Sequence, residues 1–318
     1  MNNFWQKLKR PIMVLAPMAD VTDASFRRII AERGRPDVTW TEFVSADGLV
    51  RATEEGKKKL LLDLKYSEIE RPIVAQLFTS NLEHMEASAR LVAELGFDGL
   101  DINMGCPDKG VEKQGAGAAL MKNPALAREL IKRAKIGAPN LPVSVKTRIG
   151  YNKVELETWL REILAEEPAV VTLHARTRKE MSKVPARWEF VKRAVEIRDE
   201  LNSNTLIFGN GDVKSLAEAR QRVEETGCDG VMLGRAIFGN PWLFDEGKIP
   251  SKEERMQALI EHIKLFDELL GGVKSYAIMK KHFKAYMTGF EGSAELRQAL
   301  MDSNSAGESI EILERALA

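Results

Sequence analysis

Only two of the 318 residues are cysteine, Cys106 and Cys228, and they stand far apart with no Cys-x-x-Cys or metal-ligand spacing. That scarcity rules out a disulfide-stapled scaffold, argues against a zinc site and points to a reducing compartment. Neither sign of charge is in excess, because 47 lysines and arginines balance 47 aspartates and glutamates. No global basic field announces a nucleic-acid partner, so any such partner must be held by a local patch. The chain also lacks an apolar run long enough to span a bilayer, and Met1-Asn-Asn-Phe-Trp-Gln-Lys-Leu-Lys-Arg10 lacks the apolar core of a signal peptide. A cytoplasmic protein with no membrane partner and no bound metal is expected. Internal repeats, low-complexity segments and linkers are missing too.

What is present is alternation. With 44% hydrophobic residues the chain can bury a full core, and its length suits one large domain with a small appendage. Short β-branched or apolar runs at 12–16, 39–44, 73–77, 99–103, 143–146, 170–174, 206–209 and 230–233 read as eight strands. Longer amphipathic runs at 23–32, 82–95, 124–135, 155–166, 188–201 and 215–226 read as helices between them. This series predicts an α/β fold, a (β/α)8 TIM barrel over residues 1–245. A doubly wound sheet is the alternative, but it needs a glycine fingerprint after the first strand, which is absent. Beyond Phe244-Asp-Glu-Gly-Lys-Ile-Pro250 only helical periodicity continues, predicting a small all-helical domain over 246–318. There Tyr276, Phe283, Met287 and Phe290 share a core-facing stripe, while Lys280, Lys281 and Lys284 face elsewhere.

The informative polar residues fall at the C-terminal ends of the strands, where barrel enzymes build their sites. Asn103-Met-Gly-Cys106-Pro107 puts a thiol on a turn after Gly99-Leu-Asp-Ile-Asn103. With an ordinary pKa of about 8.5 that thiol is mostly protonated at neutral pH and can donate a proton; the plainer reading is a small residue filling a loop. Gly209-Asn-Gly-Asp212 and Leu233-Gly-Arg235 end the seventh and eighth strands. Their glycines let backbone approach an anion and Arg235 adds a charged fork, so a phosphate-bearing ligand is expected. Gln76, Lys146 and His174 end the third, fifth and sixth strands, and a lysine in a barrel mouth is costly unless it meets an anion such as a reduced flavin. Arg148, Arg176 and Arg178 follow closely and read equally as surface charges. Gly115-Ala-Gly-Ala-Ala-Leu120 has no strand leading into it and is discounted as a dinucleotide loop.

As a set these residues resemble the tRNA-dihydrouridine synthase family, flavin enzymes that reduce uridine in transfer RNA. The resemblance runs from Leu15-Ala-Pro-Met-Ala19 with Thr22-Asp23, through Ala75-Gln-Leu77, Asp101-Ile-Asn-Met-Gly-Cys-Pro107, Gly115-Ala-Gly117, Val145-Lys-Thr-Arg148 and His174-Ala-Arg-Thr-Arg178, to Gly209-Asn-Gly-Asp212 and Gly234-Arg235 leading to Gly239-Asn-Pro-Trp242. It implies a flavin mononucleotide (FMN) barrel, reduced by NADPH or NADH, and a helical domain that helps to grip tRNA. Carried over by position, it puts the flavin against Pro17, Met18, Gln76, Lys146, His174, Asn210, Gly211, Asp212, Gly234 and Arg235. It puts the uracil near Asn103, Arg148 and Arg178, makes Cys106 the general acid, and leaves Lys280, Lys281 and Lys284 for tRNA phosphates.

Asp20 stands where many members have glycine, and Met181-Ser-Lys-Val-Pro-Ala-Arg-Trp188 lacks the family's common aromatic, glycine and aspartate. These departures bear on loop contacts and on which uridine is chosen. A monomer is expected. The rival readings are a flavin barrel acting on a small molecule and a noncatalytic RNA-binding barrel.

Overall fold

The computed structural model describes residues 3–318; Met1 and Asn2, with which the expected barrel domain begins, lie outside them. Eight parallel strands run β1 (Ile12–Leu15), β2 (Thr39–Ser45), β3 (Ile73–Phe78), β4 (Gly99–Asn103), β5 (Val143–Arg148), β6 (Val170–His174), β7 (Leu206–Asn210) and β8 (Gly230–Leu233). They pair in the order β1-β8-β7-β6-β5-β4-β3-β2. The circle closes between β1 and β2, where Val14 bridges Val38 and the Leu15 N–H reaches the Val38 carbonyl at 3.3 Å. The TIM barrel read from the sequence is therefore the fold. Strand residues are almost all buried because helices cover the outside and side chains fill the inside.

The helices are α1 (Ala24–Arg33), α2 (Ala46–Arg51), α3 (Glu54–Asp63), α4 (Leu82–Glu94), α5 (Lys109–Lys113), α6 (Pro124–Gly137), α7 (Leu156–Leu164), α8 (Glu189–Glu200) and α9 (Leu216–Thr226), then α10 (Lys252–Leu270), α11 (Met279–Tyr286), α12 (Ser293–Asp302) and α13 (Ala306–Leu317). Their starts follow from side chains that take up orphan backbone donors: Asp23 accepts from the Phe26 N–H, Asn81 from His84, and Asn123 from Leu126 ahead of Pro124 in the first turn. In α7, Leu156, Trp159, Leu160, Ile163 and Leu164 make one buried stripe.

Some elements differ from the expected ones. β5 continues past Lys146 to Arg148, because Thr147 and Arg148 keep register with Leu173 and His174. Helices α2 and α3 follow β2, and α5 follows the cysteine turn. All three are short or mostly exposed, so they carry little apolar periodicity. Trp5, from the single turn Phe4–Lys7, plugs the N-terminal end of the barrel against Trp40 and Phe208, with ring centroids 5.7 and 5.6 Å away.

The C-terminal helices pack on the barrel through α10 and α11. Phe26 of α1 stacks on His262 at 4.9 Å and meets His282 edge-on. The strongest polar tie is Lys274, just after α10, whose ammonium sits 2.8 Å from Glu42 Oε2 and 2.6 Å from Asp63 Oδ1. Burial pulls the Lys274 pKa down, but the two carboxylates outweigh it and raise the value. Burial also pushes Glu42 up, partly opposed by Lys274. Lys274→Ala leaves two crowded carboxylates without their cation and should cost about 3 kcal/mol of unfolding free energy. A urea denaturation midpoint equal to the parent's would show that this tie contributes nothing.

Candidate active site

Parallel register brings the polar strand ends together. Gln76 lies beside Asp101, Asn103 beside Lys146, Arg148 beside His174, and His174 beside Asn210. The mouth they form opens into a cavity of about 850 Å³, within the usual range for ligand sites. Of the expected cofactor residues, Pro17, Met18, Lys146, His174, Asn210, Gly211, Asp212, Gly234 and Arg235 all line it. Gln76 does not; it is fully buried beneath, between Asn103 and Asp101.

One end of the cavity, where an anion seat was expected, gathers two arginines around Asp212. Asp212 Oδ1 accepts from Arg235 at 2.7 Å, its Oδ2 from the Ala186 N–H at 2.9 Å, and Arg176 also pairs with Oδ2. Hydrogen bonds from Arg176 and Ala186, with the charges of both arginines, outweigh desolvation and hold the Asp212 carboxyl below its ordinary value. No protein acceptor takes the backbone N–H of Gly234 or Arg235 among the described residues. The seat therefore offers free amides and two guanidiniums aimed by a carboxylate. Trp188 braces it, its indole N–H donating to the Gly211 carbonyl at 3.0 Å. A Cβ on Gly209 would stand 2.1 Å from that indole, which explains the glycine.

Deeper in, Lys146 donates to Asn210 Oδ1 at 3.3 Å. Desolvation, with the neighbouring Arg148 charge, pulls its pKa down to about 8, against the opposing pull of Asp101. Burial likewise raises Asp101 to about 6, moderated by hydrogen bonds from Ser144 and Gln76. His174 is held well below its ordinary value by burial and by the Arg148, Lys146, Arg176 and Arg235 charges, so it is a neutral ring at pH 7.

Beside Lys146 stands the cysteine turn, whose Asn103 and Cys106, like Arg148, are not among the residues that line the cavity. Asn103 Oδ1 accepts the N–H of Gly105 at 3.1 Å and of Cys106 at 2.9 Å. The Cys106 carbonyl accepts from Ala118 at 2.9 Å, and Gly117 is needed because a Cβ there would lie 2.8 Å from that carbonyl. The discounted glycine run thus braces the cysteine. The Cys106 thiol is partly exposed, and burial pushes its pKa up while Lys146 and Arg148 pull it down. Arg148 stitches the turn to the loop after β6, donating to the carbonyls of Gly105 at 2.8 Å and of Thr177 and Met181 at 3.2 Å.

Arg148 and Arg176 are buried, so their reading as surface charges is excluded. Arg178 is half-buried and forks onto Glu112 of α5, beside Tyr151. Two of the three expected phosphate lysines have protein acceptors: Lys280 donates to the Met301 carbonyl at 2.8 Å, and Lys281 to the Asp20 carbonyl at 2.6 Å. Lys284 is exposed. The segment 246–318 holds ten lysines and arginines against twelve aspartates and glutamates, so it is not a basic module. Sequence reasoning gave no role to Asp101, Arg176 or Trp188; for Asp101 the usable signal was its place two residues before Asn103, on the same face of β4.

An α/β barrel that gathers two arginines at strands seven and eight, a buried lysine and, beside that lysine, a partly exposed thiol has the layout of an enzyme site. A family model described as dihydrouridine synthase (Dus) matches residues 14–318. The probable tRNA-dihydrouridine synthase 2 of Bacillus subtilis (strain 168) is 43% identical over 309 residues, 96% of this chain and 94% of that one. The probable tRNA-dihydrouridine synthase of Staphylococcus aureus (strain COL) is 39% identical over 315 residues, 98% and 95% of the two chains. The chain belongs to the dihydrouridine synthase family. Among solved structures, an old yellow enzyme homologue from Zymomonas mobilis (TM-score 0.51, 12% identity, 76% of this chain and 90% of that one) and morphinone reductase in complex with tetrahydroNAD (TM-score 0.51, 12% identity, 76% and 88%) share the barrel fold.

The depressed Lys146 pKa is also a statement about stability. The folded value, about 8, lies below the ordinary 10.5, so the unfolded chain binds more protons between those values and stability rises with pH across that window. Below about pH 8 the penalty is fully present. Lys146→Met should therefore stabilise the ligand-free protein at pH 7 by about 1–2 kcal/mol, discounted for water in the cavity, with the gain fading as pH rises toward 10.5. Melting curves at pH 7 and 10 check this; a pH-independent difference would contradict it.

Proposed function

We propose that this protein is a tRNA-dihydrouridine synthase, an FMN-dependent oxidoreductase that reduces the C5–C6 double bond of particular uridines in tRNA. The observation that carries the reading is that Lys146, which lines the same cavity as Arg235, also stands beside the Cys106 thiol and in register with Asn103. Membership of the family and near full-length likeness to relatives named for this activity support it. The residues present fit the cofactor: amides and arginines for a phosphate, Ala16, Met18 and Met232 as an apolar wall, and Lys146 for a charged ring edge.

When bound, FMN supplies hydride transfer, from NADPH or NADH to C6 of uracil. The chain's own groups do the rest. Arg176 and Arg235 hold the phosphate, and Asp212 aims them rather than touching it, since a carboxylate repels a phosphate. Lys146, protonated at pH 7, stabilises negative charge at the ring edge, where neutral His174 adds a polar contact without adding charge. Asn103 and Arg148 hold the uracil carbonyls so that C5 lies at the Cys106 thiol, which burial keeps protonated. Hydride addition at C6 leaves an electron pair between C5 and O4; the thiol proton goes to C5 and closes the product, and solvent reprotonates the thiolate.

The uridine leaves the tRNA stack to reach this depth. Phosphates around it find exposed lysines at Lys109 and Lys113 of α5 and at Lys153, Lys179 and Lys183 of the loops after β5 and β6, as well as Lys284. In this reading residues 1–245 form the catalytic unit, 246–318 help to orient the tRNA, and the protein works as a cytoplasmic monomer. No helix among the described residues is long and apolar enough to cross a membrane.

Arg235→Ala removes the phosphate's charged fork and should weaken FMN retention about tenfold or more, read as flavin fluorescence released on dilution. Parent-like retention would move the phosphate elsewhere. Cys106→Ala should keep its flavin and its reduction by NADPH, yet slow single-turnover reoxidation of the flavin by tRNA by on the order of 10²–10⁴-fold. Equal reoxidation rates for parent and variant across pH would remove Cys106 as the acid.

A further inference from the structure

Four buried polar side chains below the cysteine turn form a hydrogen-bonded chain with one direction. Asn103 Oδ1 receives the N–H groups of Gly105 and Cys106, which fills both lone pairs of that oxygen. Its Nδ2 must then face outward, and it donates to Gln76 Oε1 at 3.1 Å. Gln76 is thereby oriented too, its Nε2 donating to Asp101 Oδ2 at 2.6 Å. Asp101 Oδ1 receives the Ser144 hydroxyl at 2.5 Å. Gln76 and Asp101 have no exposed surface, and Ser144 and Asn103 are 1% and 5% exposed.

The polarity of this chain is fixed at both ends. Backbone N–H groups can only donate, and a carboxylate can only accept. Turning either amide over would set donor against donor and acceptor against acceptor where water does not reach. Asn103 is left with one amide N–H and no free lone pair. Of the charged groups beside Cys106, Lys146 and Arg148 are donors as well, while the carboxylate of Asp108 turns to α5 and accepts the Gly110 and Val111 N–H groups.

We propose that Asp101 is a positioning residue that anchors Gln76 and so locks Asn103 as a one-way donor, making the site accept a base through a ring carbonyl and refuse one that presents an amino group there. This rests on the uridine-reducing reading of the site. Uracil carries carbonyls at C2 and C4; cytosine replaces the C4 carbonyl with an amino donor, which would meet only donors.

The test uses the flavin-loaded protein and an unmodified tRNA transcript. Asp101→Leu removes the acceptor and sets a larger apolar side chain in its fully buried place, freeing Gln76 to turn and loosening Asn103. It should raise KM for the transcript by on the order of ten- to a hundredfold, with flavin content and NADPH reduction of the flavin close to the parent's. Asp101→Asn should recover to within a few-fold at pH 6, because its Oδ1 can take Gln76 while its Nδ2 donates to the Ser144 oxygen. Equal impairment in both variants would overturn the proposal and make Asp101 a counter-charge for Lys146. If Asp101→Leu does not fold, Asn103→Asp decides: it has no N–H to offer, so parent-like turnover of uridine would overturn the lock, and a tenfold or greater loss with flavin retained would support it. A flavin-loaded parent that forms no dihydrouridine would instead remove the functional reading on which the lock rests, and the lock with it.

Discussion

Strand register is the constraint on which the site depends. Each polar residue of the mouth stands beside another because the eight-stranded parallel circle fixes which residues neighbour which, as with Asn103 beside Lys146 and His174 beside both Arg148 and Asn210. A slip of one residue in any strand would turn its polar members outward and its apolar members into the mouth. The apolar plug of Trp5, Trp40 and Phe208 at the far end, and the helices outside, hold that register. The polar cluster adds little to stability. Lys146 and Asp101 both sit where burial disfavours their charged forms, as expected of a site kept for chemistry.

The arginine seat and the cysteine turn, on either side of Lys146, solve opposite electrostatic problems. At the seat, Asp212 keeps two arginines together by pairing with both. At the cysteine turn no carboxylate pairs with the donors directly, so Asn103, Lys146 and Arg148 stay available to carbonyl oxygens while the thiol keeps its proton. The helical segment reaches into this arrangement through the loop after β1. Glu42, paired with Lys274, accepts the Asp20 N–H, and Lys281 donates to the Asp20 carbonyl, so both sides of Asp20 are held. That loop also carries Pro17 and Met18 of the cavity wall.

Much of this was legible in the sequence. The eight strands could be read because each is a short apolar run between turn residues, and polar motifs fell at the ends of six of them, where a barrel puts its chemistry. Partnerships across strands and loops were not legible. The carboxylate of Asp101 acquires meaning only when β3 and β5 lie on either side of it, and the fork of Arg178 onto Glu112 joins residues 66 apart. Lys280 and Lys281 looked like a free basic face because spacing shows which side of a helix a residue takes, but not which backbone carbonyl waits there. Short helices such as α5 were invisible for want of an apolar stripe.

The central claim is that a phosphate-seated flavin and an acid beside Lys146 together complete the reduction of a tRNA uridine. Nucleoside mass spectrometry of an unmodified tRNA transcript, incubated with the FMN-loaded protein and NADPH, tests it most directly. The account predicts dihydrouridine at a defined position, in amounts matching the NADPH consumed. Full consumption of NADPH with flavin bound and no dihydrouridine in the RNA would contradict it.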